Sequence, residues 1–184
     1  MSSVEKWKTL SSKEAGDFRI FKIRSDKKLS PRTGEAHDFF VLEAVNWVNV
    51  IALTRDGKAV MVEQYRHGSD TIELEAPGGM MDPEDTSPVE TAVRELMEET
   101  GYEGTNARLI GQILPNPAIM NNVCYTVLVE HCELKHDLKF DQTEDIATTL
   151  VDVADIPALV ANGKIGHSLV VVAFYHFEQL RRKA

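Results

Sequence analysis

Cysteine is scarce in this sequence. Cys124 and Cys132 are the only two in 184 residues, too few for a disulfide framework or a Cys-rich zinc site, so buried reduced thiols are expected. Long apolar runs are missing as well. No stretch approaches the roughly 18 residues of a membrane span, and the opening MSSVEKWKTLSSKEAGDF lacks the apolar core of a secretory signal. A cytoplasmic location without membrane contact is therefore expected. Positive charge is in deficit too: 20 Lys and Arg stand against 29 Asp and Glu, a net charge of −9, which argues against a nucleic-acid backbone as the main partner. An acidic protein can still act on phosphates if divalent cations bridge the like charges.

Hydrophobic residues make up 43% of the chain and charged ones 27%, the balance of an ordinary globular protein. The length suits one well-packed domain with a small appended sheet. Phe18 to Ile23 alternates like a strand, and a polar, turn-rich stretch joins it to a second run, Asp38 to Glu43, as in a hairpin or small N-terminal sheet. Trp47 to Thr54 and Ala59 to Gln64 flank Asp56-Gly57, a strong hairpin signal. A short β-prone run, Thr71 to Glu75, leads into a sharp turn at Ala76-Pro77-Gly78-Gly79. Later strands are expected at Leu109 to Leu114, Asn122 to Glu130 and Thr148 to Val153, and helices at Ile156 to Asn162 and Ser168 to Arg181. No repeat or low-complexity linker interrupts the pattern, so the fold class read from it is a mixed α/β sandwich.

The chemistry is concentrated on a helix expected over Pro88 to Thr100. Ser87-Pro88-Val89-Glu90 has the spacing of a capping box with Pro at the first position, and Gly101 stands where a C-terminal cap belongs. On a wheel, Val89, Ala92, Val93, Leu96 and Met97 gather on one side and Glu95, Glu98 and Glu99 on the other. Like charges at i,i+3 and i,i+4 cost roughly 0.2–0.5 kcal/mol each, and near the C-terminus the macrodipole adds to that cost. Two readings remain for the helix alone. Either it is a solvated acidic face partly balanced by Arg94, or a hard divalent cation compensates the carboxylates.

Gly78, five residues, Glu84, and then Arg94-Glu95-Leu96-Met97-Glu98-Glu99-Thr100-Gly101-Tyr102 resemble the Nudix box, G-x5-E-x7-R-E-U-x-E-E-x-G-U with U bulky and apolar. Nine residues rather than seven separate Glu84 from Arg94, and Tyr102 fills the last apolar position. The additional pair is placed most simply at Thr86-Ser87, ahead of the helix cap, which leaves Glu84 as the member whose reach is altered. The resemblance implies an α/β/α sandwich with a mixed sheet and a small N-terminal antiparallel sheet. It implies Mg2+ as cofactor, with Mn2+ as a substitute, and metal ligands at Glu95, Glu98, Glu99 and the carbonyl of Pro77. Glu84 would be a nearby or indirect ligand, and Arg94 would orient the glutamates by ion pairing.

Outside the box, Gln64-Tyr65-Arg66, Glu73 to Gly79, Glu144-Asp145-Ile146 and Gly163-Lys164-Ile165 look like the ADP-ribose and nucleotide-sugar pyrophosphatase branch. On that resemblance Glu144 is the expected base or further metal ligand, with Asp145 as alternate and a polar turn as the bland alternative. Glu98 and Glu99 are carried over as catalytic through the metal. Arg66 would contact substrate phosphates, where a guanidinium suits bidentate contact, or else form a surface ion pair. Trp47 would stack a nucleobase or pack in the core, and Asn116 would stand in a proline-containing substrate loop. His67 and His167 are read as structural or peripheral. Residues 1–45 would form an N-terminal sheet used for dimerisation and 46–184 the catalytic domain, giving a homodimer with a nucleotide-sugar substrate. The implied reaction yields a nucleoside monophosphate and a sugar phosphate. A preference for GDP-mannose or another nucleotide sugar, and a regulator that binds ADP-ribose without hydrolysis, are the alternatives; retention of every box glutamate speaks against the regulator.

Overall fold

A computed structural model describes residues 4–138 and 145–183. The chain forms two compact units. The smaller runs up to Val45 and includes Leu114–Val123; the larger comprises Asn46–Ile113 and the chain from Cys124 onward.

In the smaller unit, β1 (Lys8–Asp17), β2 (Phe21–Leu29) and β3 (Ala36–Ala44) form an antiparallel sheet in that order. The sequence signals anticipated β3 but only the start of β2: of the expected strand Phe18 to Ile23, Phe18 to Ile20 form the turn after β1, and Ser25 to Leu29, read as part of a polar connection, belong to β2. They missed β1, whose KTLSSKEAGD has no apolar face and is exposed along nearly its whole length. Within this unit Leu42 donates its N–H to the Ile119 carbonyl at 2.7 Å, so the segment after Leu114 lies along β3. Asn116 belongs to this segment, where its carbonyl accepts the N–H groups of Ile119 and Met120 at 3.1 and 2.8 Å.

The larger unit is a mixed seven-stranded sheet with helices on it. The sheet contains β4 (Trp47–Thr54), β5 (Lys58–Arg66), β6 (Thr71–Glu75), β7 (Gly78–Met80), β8 (Tyr102–Ile113), β9 (Cys124–Leu134) and β10 (Ile146–Asp152). The main path runs β10-β5-β4-β9-β8, with β6 on β5 and β7 on β4. Only β4 and β9 pair in parallel; the other pairs are antiparallel. The expected turn at Gly78-Gly79 is in fact the short strand β7.

Alternation along β4 separates two cores. Val48, Val50 and Ala52 pack with Ala92 and Leu96 of α1 (Pro88–Thr100). Ile51 points the other way, into a cluster with Val170, Ala173, Phe174 and Phe177 of α3 (Ser168–Arg181) and with Ile156 at the start of α2 (Ile156–Ala161). This layering is the α/β/α sandwich expected. Cys124 and Cys132 are buried free thiols, and burial pushes both up to about 11.

Candidate active site

Local signals fix both ends of α1. Ser87 is extended and its hydroxyl accepts the Glu90 N–H at 3.2 Å, while Glu90 accepts the Thr86 N–H at 2.9 Å, so the reciprocal bond of the capping box is displaced by one residue. Gly101 has φ 70°, and its N–H reaches the Met97 carbonyl at 2.9 Å, the left-handed cap that glycine adopts without strain.

The face assignment within the helix needs correction. Glu99 does not share the solvent side: it is 4% exposed, while Val93 is 39% exposed. Glu99 lies three residues after Leu96 and seven after Ala92, so it falls on the buried stripe. Its carboxylate is not left unsatisfied there, because Oε2 accepts the Gly78 N–H at 3.0 Å. Gly78 fits because a Cβ would overlap the Val48 carbonyl, and a Cβ on Gly79 would overlap the Glu95 carboxylate. The two glycines therefore let β7 lie directly against β4 and the helix carboxylates.

Arg94 is the hub for the remaining charges. Its guanidinium lies 3.0 Å from Glu95, 3.0 Å from Glu98, 3.0 Å from Asp85 and 3.3 Å from Asp82, and it donates to the Met80 carbonyl at 3.3 Å. The ion pairs to Glu95 and Glu98 are the contacts through which the resemblance implied Arg94 would orient the glutamates. The sequence reading missed Asp85. The Arg94 guanidinium, helped by the Asp82 N–H and the Thr91 hydroxyl, draws the Asp85 carboxyl down to about 2. Glu84, its neighbour, is exposed. A signal for Asp85 was present: Gly79, five residues and Asp85 satisfy the first half of the box with Asp for Glu, and bring the spacing to Arg94 one residue closer to the pattern.

A cleft of about 1150 Å³ opens at the end of the sheet where β4 and β9 begin and β5 ends, lined among others by Trp47, Asn49, Arg66, Gly78, Gly79 and His167. Such a volume is at the upper end of small-molecule sites. Trp47 and Arg66 thus stand together in its wall, and Asp145 is there also. Arg66 is already held: it donates twice, at 2.7 Å each, to Glu75, whose side chain is 3% exposed. A bidentate clamp of this kind fixes the guanidinium plane. Glu95 and Glu99 do not line the cleft themselves; they lie behind Gly79 and Gly78, which do. The Pro77 carbonyl accepts the Val50 N–H at 2.8 Å, which uses one of its lone pairs. Asn116 lies in the smaller unit, and Glu144 lies outside the described residues.

Among the described residues, no three His, Cys, Asp or Glu side chains are gathered as a metal-holding group; Glu95 and Glu98 face Arg94. The donor set nevertheless suits a hard divalent ion, being all carboxylate oxygen. No helix is long and apolar enough to cross a membrane.

The chain is similar to known proteins over most of its length. The chain is 25% identical over 179 residues to the ADP-ribose pyrophosphatase of Bacillus subtilis (strain 168), covering 97% of this chain and 95% of that one. It is 27% identical over 157 residues to the methanol dehydrogenase activator of Bacillus methanolicus, covering 84% of each. Its fold matches a solved structure titled "Crystal structure of ADP compounds hydrolase" with a TM-score of 0.86 at 19% identity, over 100% of this chain and 98% of the other. The NUDIX domain family model matches residues 45–171, a stretch that holds α1, both glycines and most of the cleft wall, and the chain belongs to the Nudix hydrolase family.

Proposed function

We propose that this protein hydrolyses the pyrophosphate bond of nucleoside diphosphate sugars, ADP-ribose first among them, in a reaction that depends on Mg2+. The observation that carries the reading is the cleft itself. One wall is the Gly78-Gly79 strand with the carboxylates of Glu95 and Glu99 directly behind it, and the same cavity holds a clamped guanidinium, Arg66, and an indole, Trp47. Carboxylates for a cation, a cation for phosphates and an aromatic surface for a base are the three elements a diphosphate-linked nucleoside requires.

Glu95, Glu98 and Glu99 would hold the ion, with a backbone carbonyl from Pro77 or, if the box is counted from Gly79, from Gly78. When bound, the ion supplies positive charge against phosphate oxygens and makes water more acidic. The chain's own groups do the rest. Arg66 binds and orients the diphosphate, Trp47 stacks the base, and Arg94 holds Glu95 and Glu98 in place by ion pairing. Glu144 takes the proton of the attacking water, the role its resemblance implies. A P–O bond forms to water, the bridging P–O bond breaks, and AMP and ribose 5-phosphate leave when ADP-ribose is the substrate. By the same reading the protein is a cytoplasmic homodimer joined through its N-terminal sheet.

The test is a panel of ADP-ribose, GDP-mannose, other nucleotide sugars, diadenosine polyphosphates and dGTP, assayed with Mg2+ and with chelator. Cleavage of ADP-ribose to AMP and ribose 5-phosphate, abolished by chelator, is expected. Failure to cleave any diphosphate-linked compound removes the proposal.

A further inference from the structure

Glu73 and His167 come from different parts of the chain and both line the cleft. Glu73 belongs to β6; its Oε1 accepts the Thr71 hydroxyl at 2.7 Å, and its Oε2 lies so close to Gly166 that a Cβ there would stand 3.0 Å away. His167 follows Gly166 and immediately precedes α3. Its Nδ1 is buried without a hydrogen-bond partner among the described residues, and its side chain makes no capping bond to the helix. A buried polar nitrogen without a partner is costly, so the imidazole is not placed there to serve the fold's own hydrogen bonding.

The chemistry of the pair selects its ligand. A carboxylate repels phosphate oxygens, so this part of the cleft is unsuited to the diphosphate, which Arg66 serves. A carboxylate accepts hydroxyl protons readily, and an imidazole nitrogen donates or accepts according to tautomer. The Glu73 carboxylate lies against Gly166, the residue before His167, and two such groups in one cleft suit two adjacent hydroxyls. Gly166 leaves the space for them, since any side chain there would crowd the Glu73 carboxylate.

We propose that Glu73 and His167 form a hydroxyl-reading subsite that takes a vicinal diol of a substrate sugar. The inference rests on the proposed function and deepens it, giving the cleft a discriminating end distinct from its phosphate-binding part. Two sugars of ADP-ribose carry such a diol, and the experiment separates them. Values of kcat/KM are measured with Mg2+ for wild type, Glu73→Gln, His167→Ala and Gly166→Ala on three compounds. These are ADP-ribose, its analogue with a 2′,3′-dideoxy nucleoside, and the butyl ester of ADP, which has no terminal sugar.

The expected result is a loss for ADP-ribose about 10–100-fold larger than for the one analogue that lacks the diol being read, the scale of a hydrogen bond to a charged group. That analogue identifies the end. An equal loss on all three compounds, or no loss, in variants whose far-UV circular dichroism is unchanged overturns the subsite. Should one variant fail to fold, the other two carry the same ratio. A wild type that cleaves none of the three contradicts the proposed function and the subsite together, whereas cleavage of all three with unaltered ratios contradicts the subsite alone.

Discussion

Helices α1 and α3 cover opposite faces of one sheet, yet they serve the cleft by different means. α1 stands behind its wall: Glu95 and Glu99 press against the two glycines of β7 that line it, and Arg94 gathers Glu95, Glu98, Asp82 and Asp85. α3 is apolar, packs Val170, Ala173, Phe174 and Phe177 into the core, and meets the cleft only at its start, through His167, Ser168 and Leu169. The contrast is between a helix that carries the charged side chains and one that is an apolar anchor with only its leading residues at the cleft; on the proposed function the first serves the chemistry and the second the choice of substrate. Changes on the α1 side should therefore lower turnover, and changes at the start of α3 should alter substrate choice.

The largest effect should come from Glu99→Gln. If Glu99 holds the catalytic ion, turnover falls at least ~10²-fold, the scale of losing a principal electrostatic element, while the Gly78 N–H keeps an acceptor. Steady-state kinetics check this, and a rate near wild type would take Glu99 out of the site. Arg66→Ala comes next. It removes the phosphate contact proposed for Arg66 and leaves the Glu75 carboxylate buried without its guanidinium, so KM should rise and stability should fall by about 2–3 kcal/mol. Arg66→Lys should restore part of the stability and little of the binding, because an ammonium cannot make the bidentate contact. Urea unfolding and initial rates read the two effects separately.

Asp85→Asn tests which acidic residue completes the box. A loss of about 2 kcal/mol is expected at neutral pH, the value of a charge-assisted hydrogen bond, against almost none for Glu84→Gln. The pH dependence follows from the sign of the shift. Asp85 titrates at about 2 in the folded state against an ordinary 3.8, so its contribution is complete above about pH 4 and disappears as pH falls towards 2. The stability gap between wild type and the variant should close over that range. The smallest effect is Ser87→Ala, about 1 kcal/mol from the lost N-cap, with kcat unchanged.

The same contrast explains what could be read from the amino-acid order. α1 was legible to the residue because Ser87, Pro88 and Gly101 are local signals that owe nothing to tertiary packing. β4, β6 and α3 were legible from apolar pattern. β1 was not, since both of its faces are polar, and neither was the full length of β8, whose pairing with β9 is broken by three register shifts. At the site, the box gave the glutamates but not their surroundings. The wheel sorted residues by type and put Glu99 outside, whereas its position on the buried stripe and a single backbone N–H put it inside. Asp85 was passed over for a glutamate that matched the pattern literally, and His167 looked isolated because Glu73, distant in sequence, is brought by the fold to the neighbouring Gly166 and into the same cleft.

The most direct measurement is product analysis of ADP-ribose incubated with the Mg2+-loaded protein and with Glu99→Gln in parallel. The account predicts AMP and ribose 5-phosphate in equal amounts from the wild type and at least ~10²-fold slower release from the variant. Intact ADP-ribose with the wild type, or equal rates for the two proteins, would contradict it.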